Sequence, residues 1–335
     1  MLSYLVRRIG LAGLMLFGLI CLTFTIANVA PSDPAALAAG PDAGRSQIEQ
    51  VRRDYGLDRP LPEQFVRYVS DLARGELGRS IATSRAVGTD LARYFPATLE
   101  LCIVAMLVGV LIGVPLGVLS ALHKDGPIDH ATRVFAVSGI ALPSFWFGLL
   151  LQIMFAAKLG WLPTSGRLSV MTEPLDPITG LLLIDSLLHG QPEVFSEALS
   201  YIVLPALVLS LPCLASILRV NRSEMVEVLR GDYIVSARAH GVRPWRVVAV
   251  HALKNAMLPT LAIIGLRWGW MMSSTVLVET VFDWPGIGLY AVNSAISGDF
   301  KPVMGVTLLI GINFMLANLV VDLLYGVLDP RLRSG

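Results

Sequence analysis

The sequence predicts an all-α polytopic membrane protein with six transmembrane helices, and three observations carry that expectation. Of 335 residues, 54% are hydrophobic and only 15% charged, where a soluble domain carries roughly a quarter charged residues. The apolar residues gather in runs of about 20, the length at which a helix crosses the hydrocarbon core of a bilayer. Basic residues concentrate in alternate short connections between those runs, as loops held on one side of a membrane do.

The elements follow in order. A first span is expected over 9–30, just after Arg7 and Arg8. It is longer than a signal-peptide core, so it is expected to be retained. In the connection 31–96, IEQVRRDYGLDRPLPEQFVRYVSDLARGELG predicts two short amphipathic helices separated at GLDRPLP, then a turn from Gly75 to Gly78. That pattern makes 31–96 a small helical subdomain. Five further spans fall at 97–121, 134–158, 201–219, 257–280 and 303–326, forming a core over 97–326 ahead of a tail at 327–335. Pro143 and Pro205 predict kinks, tolerated where neighbouring helices satisfy the freed backbone groups. Gly109, Gly113 and Gly117, and again Gly265, Gly269 and Ser273, recur every four residues, a spacing that lets helix backbones approach closely in lipid. Between spans, ITGLLLIDSLL is too short to cross and is expected to pack at the membrane surface. Cys21, Cys102 and Cys213 lie inside apolar runs without metal-ligand spacing and read as small buried hydrophobes.

Orientation follows from the short loops. One side receives Arg7, Arg8, Lys124, Arg133, Arg331, Arg333 and the basic segment 219–254. The other carries Glu173, Asp176, Asp185, Glu193, Glu197, Asp283 and Asp299, with few basic residues. Both termini are therefore expected in the cytoplasm. The loop 31–96 is long enough to translocate regardless of its arginines.

Within the basic segment, GDYIVSARAHGVRPWRVVAVHALKNAMLP carries its own punctuation. Asp232 is placed to cap a short helix running to about His240. Gly241 can adopt the left-handed conformation that ends it, and Pro244 suits the first turn of the next helix. The result is a rigid eight- to ten-residue helix and a corner over about 232–241, suited to docking into a cleft of a cytoplasmic partner; a plain positive-inside loop is the other reading. Inside the fifth span, Arg267 is expensive unless it meets water or a counter-charge. It shares a helix face with Met271, Ser274 and Val278. A place on a substrate path and a structural ion pair within a complex both remain open for Arg267, and Trp270 is either cavity wall or lipid contact. No GxxxxGK[ST], HExxH or paired acids occur, so no catalytic, cofactor or metal residues are expected in this chain.

At these residues the sequence resembles the inner-membrane permease subunits of ABC importers, in the dipeptide/oligopeptide and nickel group. The family's cytoplasmic motif appears as ARAHG followed by HALKNAMLP, with Val235, Ser236 and Ala237 at the triplet positions. YLVRR, GLDRPLPEQF, GELGRS, PATLEL, VETVFDWPGIG and NLVVDLLYGVLDPRLR resemble the family in the same order. The resemblance implies the type I importer fold and a homologous second permease enclosing one path for di- or oligopeptides. It further implies two cytoplasmic ATPase subunits, which bind the ATP and magnesium, and an extracytoplasmic binding protein that delivers substrate. Asp232, Ser236, Ala237, Arg238, Gly241 and Pro244 would then couple to the ATPases, and Arg267, Trp270, Met271 and Ser274 would line the path. Nucleic acid is not an expected partner. Nickel or metal chelates, glutathione-like and opine-like solutes are alternatives within the same fold, and an ATPase-independent transporter or channel is the alternative outside it. One departure is Arg267-Trp268-Gly269-Trp270, where family members often carry glutamine and small residues; a cationic, aromatic wall would favour an anionic or smaller ligand.

Overall fold

The computed structural model describes residues 2–29, 35–36, 43–54, 56, 58–173 and 175–328. The tail from 329, with Arg331 and Arg333, most of 30–42, and the side chains of Arg7 and Arg8 lie outside the described residues. The described residues form twelve helices: α1 (Leu2–Val29), α2 (Arg45–Asp54), α3 (Leu61–Ala73), α4 (Val87–Leu122), α5 (Pro127–Ala141), α6 (Ser144–Lys158), α7 (Leu182–Leu188), α8 (Pro192–Val228), α9 (Asp232–Ala239), α10 (Pro244–Phe282), α11 (Ile287–Ile296) and α12 (Phe300–Leu328). The only β pairing among them is an isolated bridge between Arg79 and Ala86.

Helices α4, α8, α10 and α12 are each long and apolar enough to cross a membrane, and α5 with α6 makes a fifth span if the pair counts as one. The 28 residues of α1 reach about 42 Å, enough for a sixth. Two expectations need correction. The span expected over 134–158 is not one kinked helix: α5 and α6 meet at 105°. Pro143 disfavours the helical conformation in the residue before it, and Leu142 is extended. The span expected over 201–219 is a fragment of α8, which runs 37 residues with Pro205 and Pro212 inside it. Its polar ends hide the true length from a hydropathy reading.

The chain divides into two compact units. One holds Met1–Thr98 and Pro285–Met315, the other Leu99–Trp284 and Leu316–Gly335. In the first, Phe24 of α1 meets Phe65 and Tyr68 of α3 at 5.2 and 5.9 Å between ring centroids. A core of Val87, Leu91, Ile287, Tyr290 and Val306 joins the start of α4 to α11 and α12. Buried carboxylates fix the loop before α4. Asp90 accepts from Thr83 Oγ1 and Arg85 Nε, both at 2.6 Å, and from the Tyr290 hydroxyl at 2.9 Å. Asp299 accepts from Ser80 Oγ at 2.7 Å and from the Ile81 and Ala82 amides.

The second unit is built around α8, whose most apolar stretch is 72% buried. The glycine row of α4 lies against it. A Cβ added at Gly109, Gly113 or Gly117 would meet Cys213, Leu214 and Ile217, or Asn221, at van der Waals distance or closer. The second small-residue row is shorter than expected: Gly265 and Gly269 are buried, Gly265 against Val321, but Ser273 is exposed. Asp129 ties α5 to α4 and α8. Fully buried, it pairs with the Arg222 guanidinium through both oxygens and accepts from Ser120 Oγ at 2.6 Å and the Asp125 amide at 2.9 Å. The connection 159–191 is equally tied down. Arg167 pairs with Glu100, donates to the Gly180 carbonyl at 3.0 Å and lies over the Trp284 ring. Asp185 of α7 accepts from the Thr179 amide and hydroxyl and from the Gly180 amide. Burial works to raise the Asp185 pKa, but these donors outweigh it and hold the carboxyl below its usual range.

Candidate functional site

Two places gather the residues singled out from the sequence, both in the second unit. The first is a cavity of about 70 Å³ lined by Arg267, Trp270, Met271 and Ser274 of α10, by Val208, Leu209, Pro212 and Cys213 of α8, and by Ser144 of α6. Arg267, Met271 and Ser274, expected on one face from helical spacing, thus share one wall, together with Trp270. Met271 is buried and Trp270 is 68% exposed, so Trp270 is both cavity wall and mouth. Val278, expected on the same face, is buried but outside this wall. Arg267 lies 14 residues after Leu253, where the α-helical part of α10 resumes beyond the π-helical stretch, and 15 before Phe282, with about 20 Å of that part on either side. Its Nε is buried without a hydrogen-bond partner, and it is the one charged residue among the described lining residues.

Ser144, Pro212 and Cys213 are cavity residues that the linear pattern missed. Ser144 is there because the chain restarts as a helix right after Pro143. Pro212 carried a readable signal, a proline within an apolar run, and its missing N–H leaves the Val208 carbonyl without a helical donor. Cys213 carried none; its thiol lies 3.6 Å from the Met106 sulfur.

The second place is α9. It starts at Asp232, but its N-cap is Gly231, with extended backbone and no side-chain cap bond. Asp232 therefore sits one residue further in than expected, as the first helical residue, where its carboxylate still faces the positive helix end. The helix stops through Gly241, at φ +75°. The Gly241 amide donates to the Arg238 carbonyl at 3.0 Å and the Val242 amide to the Ala237 carbonyl at 3.2 Å, the paired bonds of a Schellman cap. Pro244 then opens α10, followed by a π-helical stretch over Val247–Ala252. Ile234 anchors α9 in a core with Ala121, Met225, Val247, Ala252 and Ala256. The Asn255 amide group donates to the Tyr233 hydroxyl at 2.9 Å. The opposite face is open: Asp232, Val235, Ser236, Arg238 and His240 are exposed, while Ala237 is half-buried.

Residues 113–334 match the model of the binding-protein-dependent transport system inner membrane component, and residues 1–102 match the N-terminal model of the same transport-system membrane components. The chain belongs to that family. It is 45% identical to the probable D,D-dipeptide transport system permease protein DdpB of Escherichia coli K12, over 96% of this chain and 95% of that one. It is 41% identical to the di/tripeptide transport system permease protein DppB of Pseudomonas aeruginosa UCBPP-PA14, over 99% of each. With the glutathione transport system permease protein GsiC of Pectobacterium atrosepticum it shares 36% identity, again over 99% of each. Among solved structures, the inward-facing MetNI methionine ABC transporter matches with a TM-score of 0.53 at 17% identity, covering 71% of this chain and 96% of that one. That likeness speaks for the fold: a helical, membrane-spanning permease of the type I importer class. Family and fold together make the chain the membrane component of a binding-protein-dependent ABC importer.

Proposed function

We propose that the chain carries short peptides, forming with a homologous second permease the path through which an ATP-driven importer moves di- or oligopeptides. The observation that carries this reading is likeness over nearly the whole length to permeases named for dipeptide and di/tripeptide transport, at 39 to 45% identity. Two cytoplasmic ATPase subunits bind ATP and magnesium and receive the exposed face of α9 in their clefts. An extracytoplasmic binding protein delivers the cargo. Both termini and α9 lie in the cytoplasm of a bacterial cell, the side to which the short-loop arginines and lysines assign them. The loop subdomain around α2 and α3 lies on the opposite side. Asp232, Ser236, Ala237, Arg238, Gly241 and Pro244 shape the ATPase contact, and Arg267, Trp270, Met271 and Ser274 line the path. Two features support α9 in this role. It is anchored on one face by a buried core, so a push on the other face is passed to α8 and α10 rather than absorbed. Its end is fixed by a left-handed glycine, so the corner into α10 is stiff.

Peptide cargo is tested by purifying the cognate binding protein and identifying its bound ligand by mass spectrometry. Di- or oligopeptides are the expected result. A preparation holding only a metal chelate, glutathione or an opine-like solute would overturn the peptide assignment while leaving the family intact.

A further inference from the structure

We infer that the Arg267 cavity is a carboxylate subsite of the path, holding the C-terminal carboxylate of a peptide in transit between the guanidinium and the start of α6. The inference rests on the path assignment above and specifies the chemistry of that site.

Three independent features converge there. The first is the guanidinium itself. Arg267 sits at mid-helix with its Nε buried and unpartnered, and an arginine at such depth needs water or an anion to complete it. The other described residues lining the cavity supply no charge. The second is the broken span. Ser144 lines the same cavity and is the first residue of α6, immediately after the 105° break, and no side chain caps that helix. Its first-turn amides and the positive end of its dipole attract anions, the arrangement by which interrupted membrane helices hold anionic substrate groups. The Ser144 hydroxyl adds a donor. The third is size. About 70 Å³ exceeds what one water needs, roughly 10–15 Å³ on the same measure. It suits a carboxylate head rather than a whole peptide, whose remainder would leave through the mouth beside the exposed Trp270 ring. Val208, Leu209, Pro212 and Met271 make the remaining wall apolar, so the charge pair forms in a low dielectric and is strengthened. The same positive features disfavour a peptide's ammonium end, which fixes the direction in which the cargo enters the subsite.

The rival source of counter-charge is an acid on the second permease, and one experiment separates the two. The complete transporter is purified with Cys21→Ser and Cys102→Ser in this chain, leaving Cys213 in the cavity wall as its reporter thiol. Alkylation of Cys213 by N-ethylmaleimide is followed by the mass of this chain, with dialanine or dialanine amide as competitor. Dialanine is expected to slow alkylation, and the amide to require about tenfold more for the same protection, the cost of a lost charge-assisted hydrogen bond. Arg267→Gln should bring dialanine to the level of the amide, and Arg267→Lys should keep most of the preference. Equal protection by both peptides, or a preference unchanged in Arg267→Gln, would overturn the carboxylate subsite and leave the path standing. Should Cys213 be alkylated at a rate that neither peptide changes, in a complex that still imports dialanine, the cavity lies off the path and both assignments fall.

Discussion

Single residues carry the two most specific statements about this chain, and they differ in how visible they are beforehand. Arg267 stands out in the sequence because one cation in an apolar run is a thermodynamic anomaly whatever surrounds it. Ser144 and Cys213 complete its cavity but look ordinary in isolation, and Pro212 shows only as a proline in an apolar run; only the packing of α6, α8 and α10 brings them together. Asp129 is similarly unremarkable as a loop-adjacent acid, yet the fold buries it completely against Arg222. Removing one partner of a buried pair leaves the other charge uncompensated, at a cost of about 3 kcal/mol. Arg222 keeps 18% of its side-chain exposure, so water softens that penalty. We therefore expect Asp129→Ala to lower the thermal midpoint of the purified complex by several degrees, and Asp129→Asn with Arg222→Gln to lower it less. A larger loss in the double variant would mean that the pair is not what holds α5 to α8. Asp232 marks the limit of cap reading: Gly231 and Asp232 are both acceptable N-caps, and a one-residue difference falls within what local propensity resolves.

At the scale of elements, the sequence carried those features that depend on local chemistry. The stop at Gly241 and the restart at Pro244 are dictated by backbone conformational preference, and both appear where expected. The break at Pro143 was visible as a kink, but its angle of 105° was not, because a proline sets a local constraint and the neighbours decide how far the chain turns. The length of α8 was lost for another reason: its ends carry polar and charged residues, so hydropathy sees only the middle. Two predictions belong here. Nothing lies within 4 Å of a Cβ at Gly241, so Gly241→Val pays only for the left-handed backbone, of order 1–2 kcal/mol or somewhat more for a branched residue. With α9 as the ATPase contact, that variant, or Ala237→Glu on the half-buried edge, should insert normally but hydrolyse ATP without importing. Normal coupling of hydrolysis to uptake in both would count against docking through α9. Gly113 is tighter: a Cβ there would lie 3.1 Å from the Leu214 carbonyl oxygen. Gly113→Leu should destabilise the α4–α8 contact by about 1–3 kcal/mol, read as a lower thermal midpoint with α9 coupling preserved in whatever complex assembles.

Taken whole, the chain is legible as a class of machine before it is legible as a shape. Composition and run length alone require a polytopic helical membrane protein, and the order of short motifs places it in one importer family. The grouping of residues 1–98 with 285–315 into one compact unit has no linear signature, because compactness joins segments nearly 200 residues apart. On the proposed function, the division of labour is likewise a property of the assembly: the path and the lever would lie in this chain, and the energy source in its partners. The most direct test is therefore uptake of labelled dialanine into proteoliposomes holding the assembled permeases and ATPases, with the binding protein outside. Uptake should require ATP on the ATPase side and should vanish when this chain is omitted. Accumulation that proceeds without ATP hydrolysis, or equally well without this chain, would contradict the account.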